Sequence, residues 1–161
     1  MSQVSTSIVR VAEAFTCSGP YSSAKECVKR WPGNVEELSA LLLSIGQLES
    51  GFSEHVHAGR CKRNECDKGK ARSPWQLHEN EFVPRVIWDS INDSDEGSTM
   101  WAAWSAAKVL SHGRARCGSL LGSISLYATG NKCTWKGAEG RVYAYKKNLS
   151  LIESLMNDGA D

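Results

Sequence analysis

The sequence predicts a mainly α single domain with a long cysteine-bearing loop, or a small hairpin, after its most apolar helix. Three observations carry this. Apolar residues recur at three- and four-residue steps in most segments. One stretch, 52–76, breaks that period and holds glycines, charges and two cysteines. The chain has 161 residues, 41% of them hydrophobic and 23% charged, which suits one folded core and argues against disorder.

Taken in order, Val4, Ile8, Val11 and Phe15 mark a first amphipathic helix over 4–15. A loop with Gly19, Pro20, Pro32 and Gly33 follows. Asn34 is a good N-cap with Glu37 three residues on, as in a capping box. Val35, Leu38, Leu41, Leu42, Ile45 and Leu48 then form one stripe, and Gly51 supplies a stop, so the helix should run over 35–50. A further helix is expected over 79–89, bent or broken by Pro84. Ser98 or Thr99 should cap the next, with Met100, Trp101, Trp104, Ala107 and Leu110 in it and Gly113 ending it. Another spans 115–128, with Leu120, Leu121, Ile124 and Tyr127 inward and Gly122 weakening it. The last, 138–156, carries Val142, Tyr145, Leu149, Ile152 and Met156 on one stripe. Residues 1–33 read as a helix and loop packing on the core, and 34–157 as the main body of one globular unit.

Nineteen basic and eighteen acidic residues leave a net charge of +1, which argues against a phosphate-neutralising nucleic-acid binder. No apolar run approaches the roughly 20 residues that span a bilayer, so no membrane insertion is expected. Residues 1–6 are polar and no export signal is read in them. The six cysteines fall into local couples, Cys17–Cys27, Cys61–Cys66 and Cys117–Cys133, which fits three disulfides in an oxidising compartment. Reduced core thiols are the alternative. His55, His57, Cys61, Cys66 and His78 could make a zinc site, but the Cys61–Cys66 spacer is at the loose end of what zinc favours, and no metal or organic cofactor is expected. Trp101 and Trp104, three apart, should pack in the core, whereas Trp75 after Pro74 reads as an exposed indole able to stack on a ligand ring.

Glu49 stands out chemically. Counting back by helical steps gives Ile45, Leu42 and Leu38, so it continues a buried stripe at a helix C-terminus. Burial and the negative end of the helix dipole both favour a protonated carboxyl, the form a general acid needs for glycoside cleavage. A boundary glutamate reaching water is the bland alternative. Beyond it, the segment 71–78 mixes an aromatic with hydrogen-bonding groups, a pairing suited to sugars.

At these residues the sequence resembles the lytic transglycosylase and goose-type lysozyme group of peptidoglycan-cleaving enzymes. Glu49-Ser50-Gly51-Phe52 matches the Glu-Ser motif, Ser73-Pro74-Trp75-Gln76 stands at the Gly-Leu-Met-Gln motif, and Leu126-Tyr127-Ala128-Thr129-Gly130 stands at the Ala-Tyr-Asn-Ala-Gly motif. Gln76, Tyr127 and Gly130 match strictly, and Ala128 replaces the family's asparagine. The resemblance covers about 35–155 and implies a lysozyme-like domain. It also implies cleavage of the β-1,4 bond between N-acetylmuramic acid and N-acetylglucosamine, with Glu49 as general acid and base. Tyr127 would line the site and hydrogen-bond near Glu49, or else serve as a core residue of its helix. Ser73, Trp75 and Gln76 would bind substrate. An inverting hydrolase would need a second carboxylate. Asp67 beside the Cys61–Cys66 couple is the best candidate, ahead of Glu54 and Glu65, unless it is simply a solvated loop charge. The other readings are a glycan-binding module without turnover and a chitinase. The expected partners are peptidoglycan strands, with the chain a monomer acting in the periplasm or cell wall. A phage-encoded lysin, released through a membrane pore or carried in a virion, would reconcile that place of action with the missing export signal.

Overall fold

A computed structural model describes residues 3–22, 30–91 and 94–158. The described elements are mainly helical. They are α1 (Gln3–Thr16), a short 3-10 turn (Gly19–Tyr21), α2 (Val35–Ser50), single-turn α3 (Glu54–His57) and α4 (Cys66–Gly69), strands β1 (Ala71–Arg72) and β2 (Leu77–His78), α5 (Arg85–Ser90), α6 (Glu96–Cys117), α7 (Leu120–Thr129) and α8 (Ala138–Asp158). The two strands pair antiparallel, Ala71 with His78 and Arg72 with Leu77, and form the small hairpin.

α2 forms as its local signals dictate. The Asn34 side chain accepts from the Glu37 N–H and the Glu37 side chain accepts from the Asn34 N–H, closing the capping box. Gly51 ends the helix at φ 61°, a left-handed position that glycine adopts without a Cβ clash. Leu38, Leu41, Leu42 and Ile45 are fully buried, while Leu48 turns outward. α2 packs along α1 and α8. The α8 contact is antiparallel, because Arg141 near the start of α8 meets Glu49 at the end of α2 and Asn148, further along, meets Ser44.

α6 is the central helix and packs on α1 and α7. Its buried face is built from small residues, Ala102, Ala103, Ala106 and Ala107 with Leu110, which lets neighbouring helices approach. Trp104 meets Phe15 of α1 edge-on, with ring centroids 4.9 Å apart. Ile8, Val11 and Phe15 belong to the same buried cluster as Leu38, Leu42 and Leu110, so the N-terminal helix shares the core of the rest.

Several sequence expectations are corrected. Residues 79–84 are not helical. The Asn80 side chain accepts from the Phe82 and Val83 N–H groups, so the chain turns there and α5 begins after Pro84. Asp95, rather than Ser98 or Thr99, caps α6 through the Ser98 N–H. Gly113 does not end α6, which continues to Cys117. It is a contact glycine, and a Cβ there would lie 3.0 Å from the Ser123 Cα. α7 starts only at Leu120, after Ser119 caps it. Trp101, Leu121 and Met156 are exposed rather than inward.

Cys61–Cys66 and Cys117–Cys133 are disulfides, with Cα–Cα distances of 6.1 and 5.5 Å. The expected Cys17–Cys27 pairing rests on Cys27, which lies outside the described residues. With Cys61 and Cys66 joined to each other, neither is a thiolate that could serve the zinc reading. Among the described residues no helix is long and apolar enough to cross a membrane.

Candidate active site

Glu49 occupies the last turn of α2, on the stripe that buries Leu38, Leu42 and Ile45. Its side chain is 21% exposed and opens on a cleft of about 330 Å³ that is also lined by Asp67, Gln76, Tyr127, Trp135 and Arg141. A second hollow of about 290 Å³ shares Gln76, His78, Tyr127 and Ala128 with the first and continues past Asn80 and Gly130. The two form one groove running over the hairpin and the end of α7. The three sequence motifs therefore converge on one surface, although they are far apart along the chain.

The carboxylate is not alone. Nη2 of Arg141 donates to Glu49 Oε1 at 2.5 Å, from a side chain 19% exposed. The Arg141 guanidinium lies 4.7 Å from the centre of the Trp135 ring. A Cβ at Gly137 would run into that ring, so glycine there lets the indole fold back. The sequence held a signal for Arg141. It falls on the helical face of Tyr145, Asn148 and Ile152, an unusual place for a charge without a partner.

Tyr127 lines the cleft, but its hydroxyl donates to the Trp75 carbonyl at 2.6 Å and not to Glu49. Burial first, and the Glu49 charge second, push its phenol well above the ordinary tyrosine range, with Arg141 opposing. The group that hydrogen-bonds Glu49 is Arg141.

Trp75 corrects a further expectation. It is fully buried, not an exposed plate, and its Nε1 donates to the Leu42 carbonyl of α2 at 2.8 Å. Phe52 meets it edge-on at 6.4 Å. Gly46 makes room for both, since a Cβ there would lie 2.6 Å from Phe52 and 3.3 Å from Trp75 Nε1. Ser73 is also buried, at φ 66°, where its hydroxyl accepts from the Trp75 N–H at 3.3 Å. Trp75 ties the hairpin to α2, and Ser73 shapes the turn that carries it. The exposed aromatic in the cleft is Trp135, 38% accessible. Gln76 lines the groove, with Nε2 donating to the Ser73 carbonyl at 3.1 Å.

Asp67 lines the same cleft at φ 47°, between Cys66 and Lys68, which are also left-handed. Three consecutive non-glycine residues in that region cost of order 1 kcal/mol each or more and need outside support. The Cys61–Cys66 link anchors the start of the run. The other acidic candidates lie elsewhere. Glu65 accepts from the Lys62 N–H and pairs with His55 Nε2 at 2.9 Å, and these contacts hold its carboxyl below the usual range, the Lys62 N–H most of all. Glu54 is exposed and faces Arg60.

The arrangement brings two carboxylates, Glu49 and Asp67, to one groove with an aromatic face, Trp135, and the side-chain amide of Gln76. Compared with known proteins, the chain matches no family model, no curated protein and no solved structure.

Proposed function

We propose that the chain cleaves peptidoglycan glycan strands between N-acetylmuramic acid and N-acetylglucosamine, as a lytic transglycosylase of lysozyme-like fold with Glu49 as general acid and base. One observation carries the reading: Glu49 ends a buried helical stripe and opens on the same groove as Gln76 and Tyr127. Trp135 and Gln76 supply the stacking face and directed polar contacts that a sugar requires.

In this mechanism Glu49 gives its proton to the glycosidic oxygen as the C1–O4 bond breaks, leaving a free 4-hydroxyl on N-acetylglucosamine. The substrate's N-acetyl group stabilises the cationic C1. The carboxylate of Glu49 then takes the proton of the muramic 6-hydroxyl as that oxygen bonds to C1, closing a 1,6-anhydro ring and restoring the acid. One protein carboxylate suffices, and no metal or cofactor takes part. A specific observation favours a second reading. Asp67 lines the same cleft and could activate water instead, giving an inverting muramidase with a reducing muramic end. Two disulfides and the substrate's location support action outside the cytoplasmic membrane, in the periplasm or wall.

Mass spectrometry of muropeptides released from purified cell wall tests the proposal. Anhydro ends are expected, and reducing ends would select the muramidase. Glu49→Gln should lower release by at least about a hundredfold while folding normally, because a glutamine oxygen can still accept from Arg141. Full activity in that variant rejects the assignment. Asp67→Asn should leave a transglycosylase active and stop a muramidase.

A further inference from the structure

We propose that Arg141 is a carboxylate-reading residue of the cleft, and that an acidic substituent on the bound sugar polymer takes over part of its guanidinium from Glu49. This rests on the glycan-cleaving reading above and adds which glycans the site prefers.

A guanidinium carries five N–H donors in a rigid plane suited to two-armed recognition of a carboxylate. Here Glu49 engages Nη2 alone, through Oε1. The Arg141 Nε is buried and has no partner. A buried donor left unmatched is costly, so a carboxylate that draws the guanidinium off Glu49 and toward the cleft would gain by matching it. Trp135 holds the guanidinium from one side, which fixes its place without consuming a donor. Glu49 and Asp67 repel an anion, so an incoming carboxylate has to be held by Arg141, the guanidinium lining the cleft. The imidazole of His78 sits farther along the groove, where both hollows meet.

The fitting ligand is a carboxylate carried by the sugar polymer. A muramic residue offers one on its 3-O-lactyl arm when that arm is bare, or on the peptide attached to it. A polymer of N-acetylglucosamine offers none. When such a carboxylate engages the unused donors it competes with Oε1 of Glu49. Released from the guanidinium, the Glu49 carboxylate takes up a proton from water and, now an acid, can turn toward the glycosidic oxygen. The resting ion pair then acts as a substrate-operated catch, and a neutral glycan opens it less well.

The test combines kinetics with a binding signal. Wild type, Arg141→Lys and Arg141→Gln are compared on three glycans of matched length: peptide-bearing strands, strands stripped to free lactyl carboxylates, and N-acetylglucosamine oligomers. In Arg141→Gln the ratio of kcat/KM for acidic over neutral glycan should fall about tenfold, and Arg141→Lys should recover part of it. A fall confined to stripped strands assigns the lactyl carboxylate, and one confined to peptide-bearing strands assigns the peptide. Separately, the Nε–H NMR signal of Arg141 in the wild-type protein, identified by its loss in Arg141→Lys, is followed on adding N-acetylmuramic acid, N-acetylmuramyl dipeptide or N-acetylglucosamine. It should shift with at least one of the acidic sugars and not with the neutral one. An unchanged ratio in a folded Arg141→Gln protein, or a signal blind to both acidic sugars, overturns the proposal. If the wild type cleaves none of the glycans, the glycan-cleaving reading fails, and the NMR titration still decides whether Arg141 reads carboxylates.

Discussion

At the scale of single residues, Tyr127 and Trp75 hold the groove together through a relay of two hydrogen bonds. The Tyr127 hydroxyl donates to the Trp75 carbonyl, and the Trp75 indole donates to the Leu42 carbonyl, so α7, the hairpin and α2 are tied through one residue, Trp75. Tyr127→Phe keeps the ring and removes the donor, leaving a backbone carbonyl unmatched at a cost of about 1–3 kcal/mol. Urea titration should show that loss. The pH dependence has a definite sign. In the unfolded chain this phenol ionises near pH 10, as tyrosine does, whereas in the folded protein burial holds it protonated to higher pH. Above pH 10 the unfolded state therefore binds fewer protons and stability falls as pH rises. Wild type should lose more stability than Tyr127→Phe between neutral pH and the range above 10. An equal loss in both would place the alkaline sensitivity elsewhere, for example at Tyr145, which burial also shifts upward. At this scale the sequence was informative about chemistry and poor about exposure. Glu49, Gln76 and Tyr127 could be picked out by motif and spacing, and Asp67 by its cysteine neighbour. Arg141 shows in the sequence only as a charge on an apolar helix face, and its partner, 92 residues away in the chain, does not show at all. Trp75 was misplaced because a Pro-flanked loop does not reveal that a helix carbonyl waits for its indole.

Elements were legible where their signals are local. The start and end of α2 follow from Asn34, Glu37 and Gly51, residues that act on the backbone within one turn of themselves. The end of α6 was misread because a glycine late in a helix has two meanings. Gly113 resembles a stop, yet its role is to let α7 close against α6, where the Ser123 hydroxyl donates to the Leu110 carbonyl at 2.6 Å. Only the partner helix distinguishes the two. Gly113→Ala raises helix propensity by about 1 kcal/mol, and in a solvent-facing position it would stabilise the protein. Here the new methyl would meet Ser123 backbone at 3.0–3.1 Å, so the helices must separate. Overpacking of this kind costs about 1–3 kcal/mol. The expected net result is a lower thermal midpoint, and a rise in midpoint would mean that α7 can yield without penalty. Gly46→Ala should behave likewise, and with a stronger effect on activity, because the groups displaced are Phe52 and Trp75 behind Glu49.

Across the whole molecule, each of the two described disulfides lies close in the chain to a residue of the groove. Cys61–Cys66 closes the loop that presents Asp67, and Cys117–Cys133 joins the end of α6 to the segment after α7, just before Trp135. Their energetic weights differ because the loops differ in length. Separations of 5 and 16 residues correspond, by loop-closure entropy, to about 2 and about 3 kcal/mol. Their functional weights need not follow that order. Replacing both Cys117 and Cys133 by serine should produce the larger loss of stability and should loosen the approach of Trp135 and Arg141 to Glu49. Replacing Cys61 and Cys66 should cost less stability but free Asp67 from its left-handed backbone. A transglycosylase working through Glu49 alone would tolerate that second change, whereas a muramidase that relies on Asp67 to aim water would lose turnover with little change in melting. Chemical denaturation and muropeptide release measured on the two double variants separate these cases. If the Cys61/Cys66 variant kept reducing-end products at the wild-type rate, the stapled turn would have no part in positioning a second carboxylate, and Asp67 would revert to an exposed loop charge.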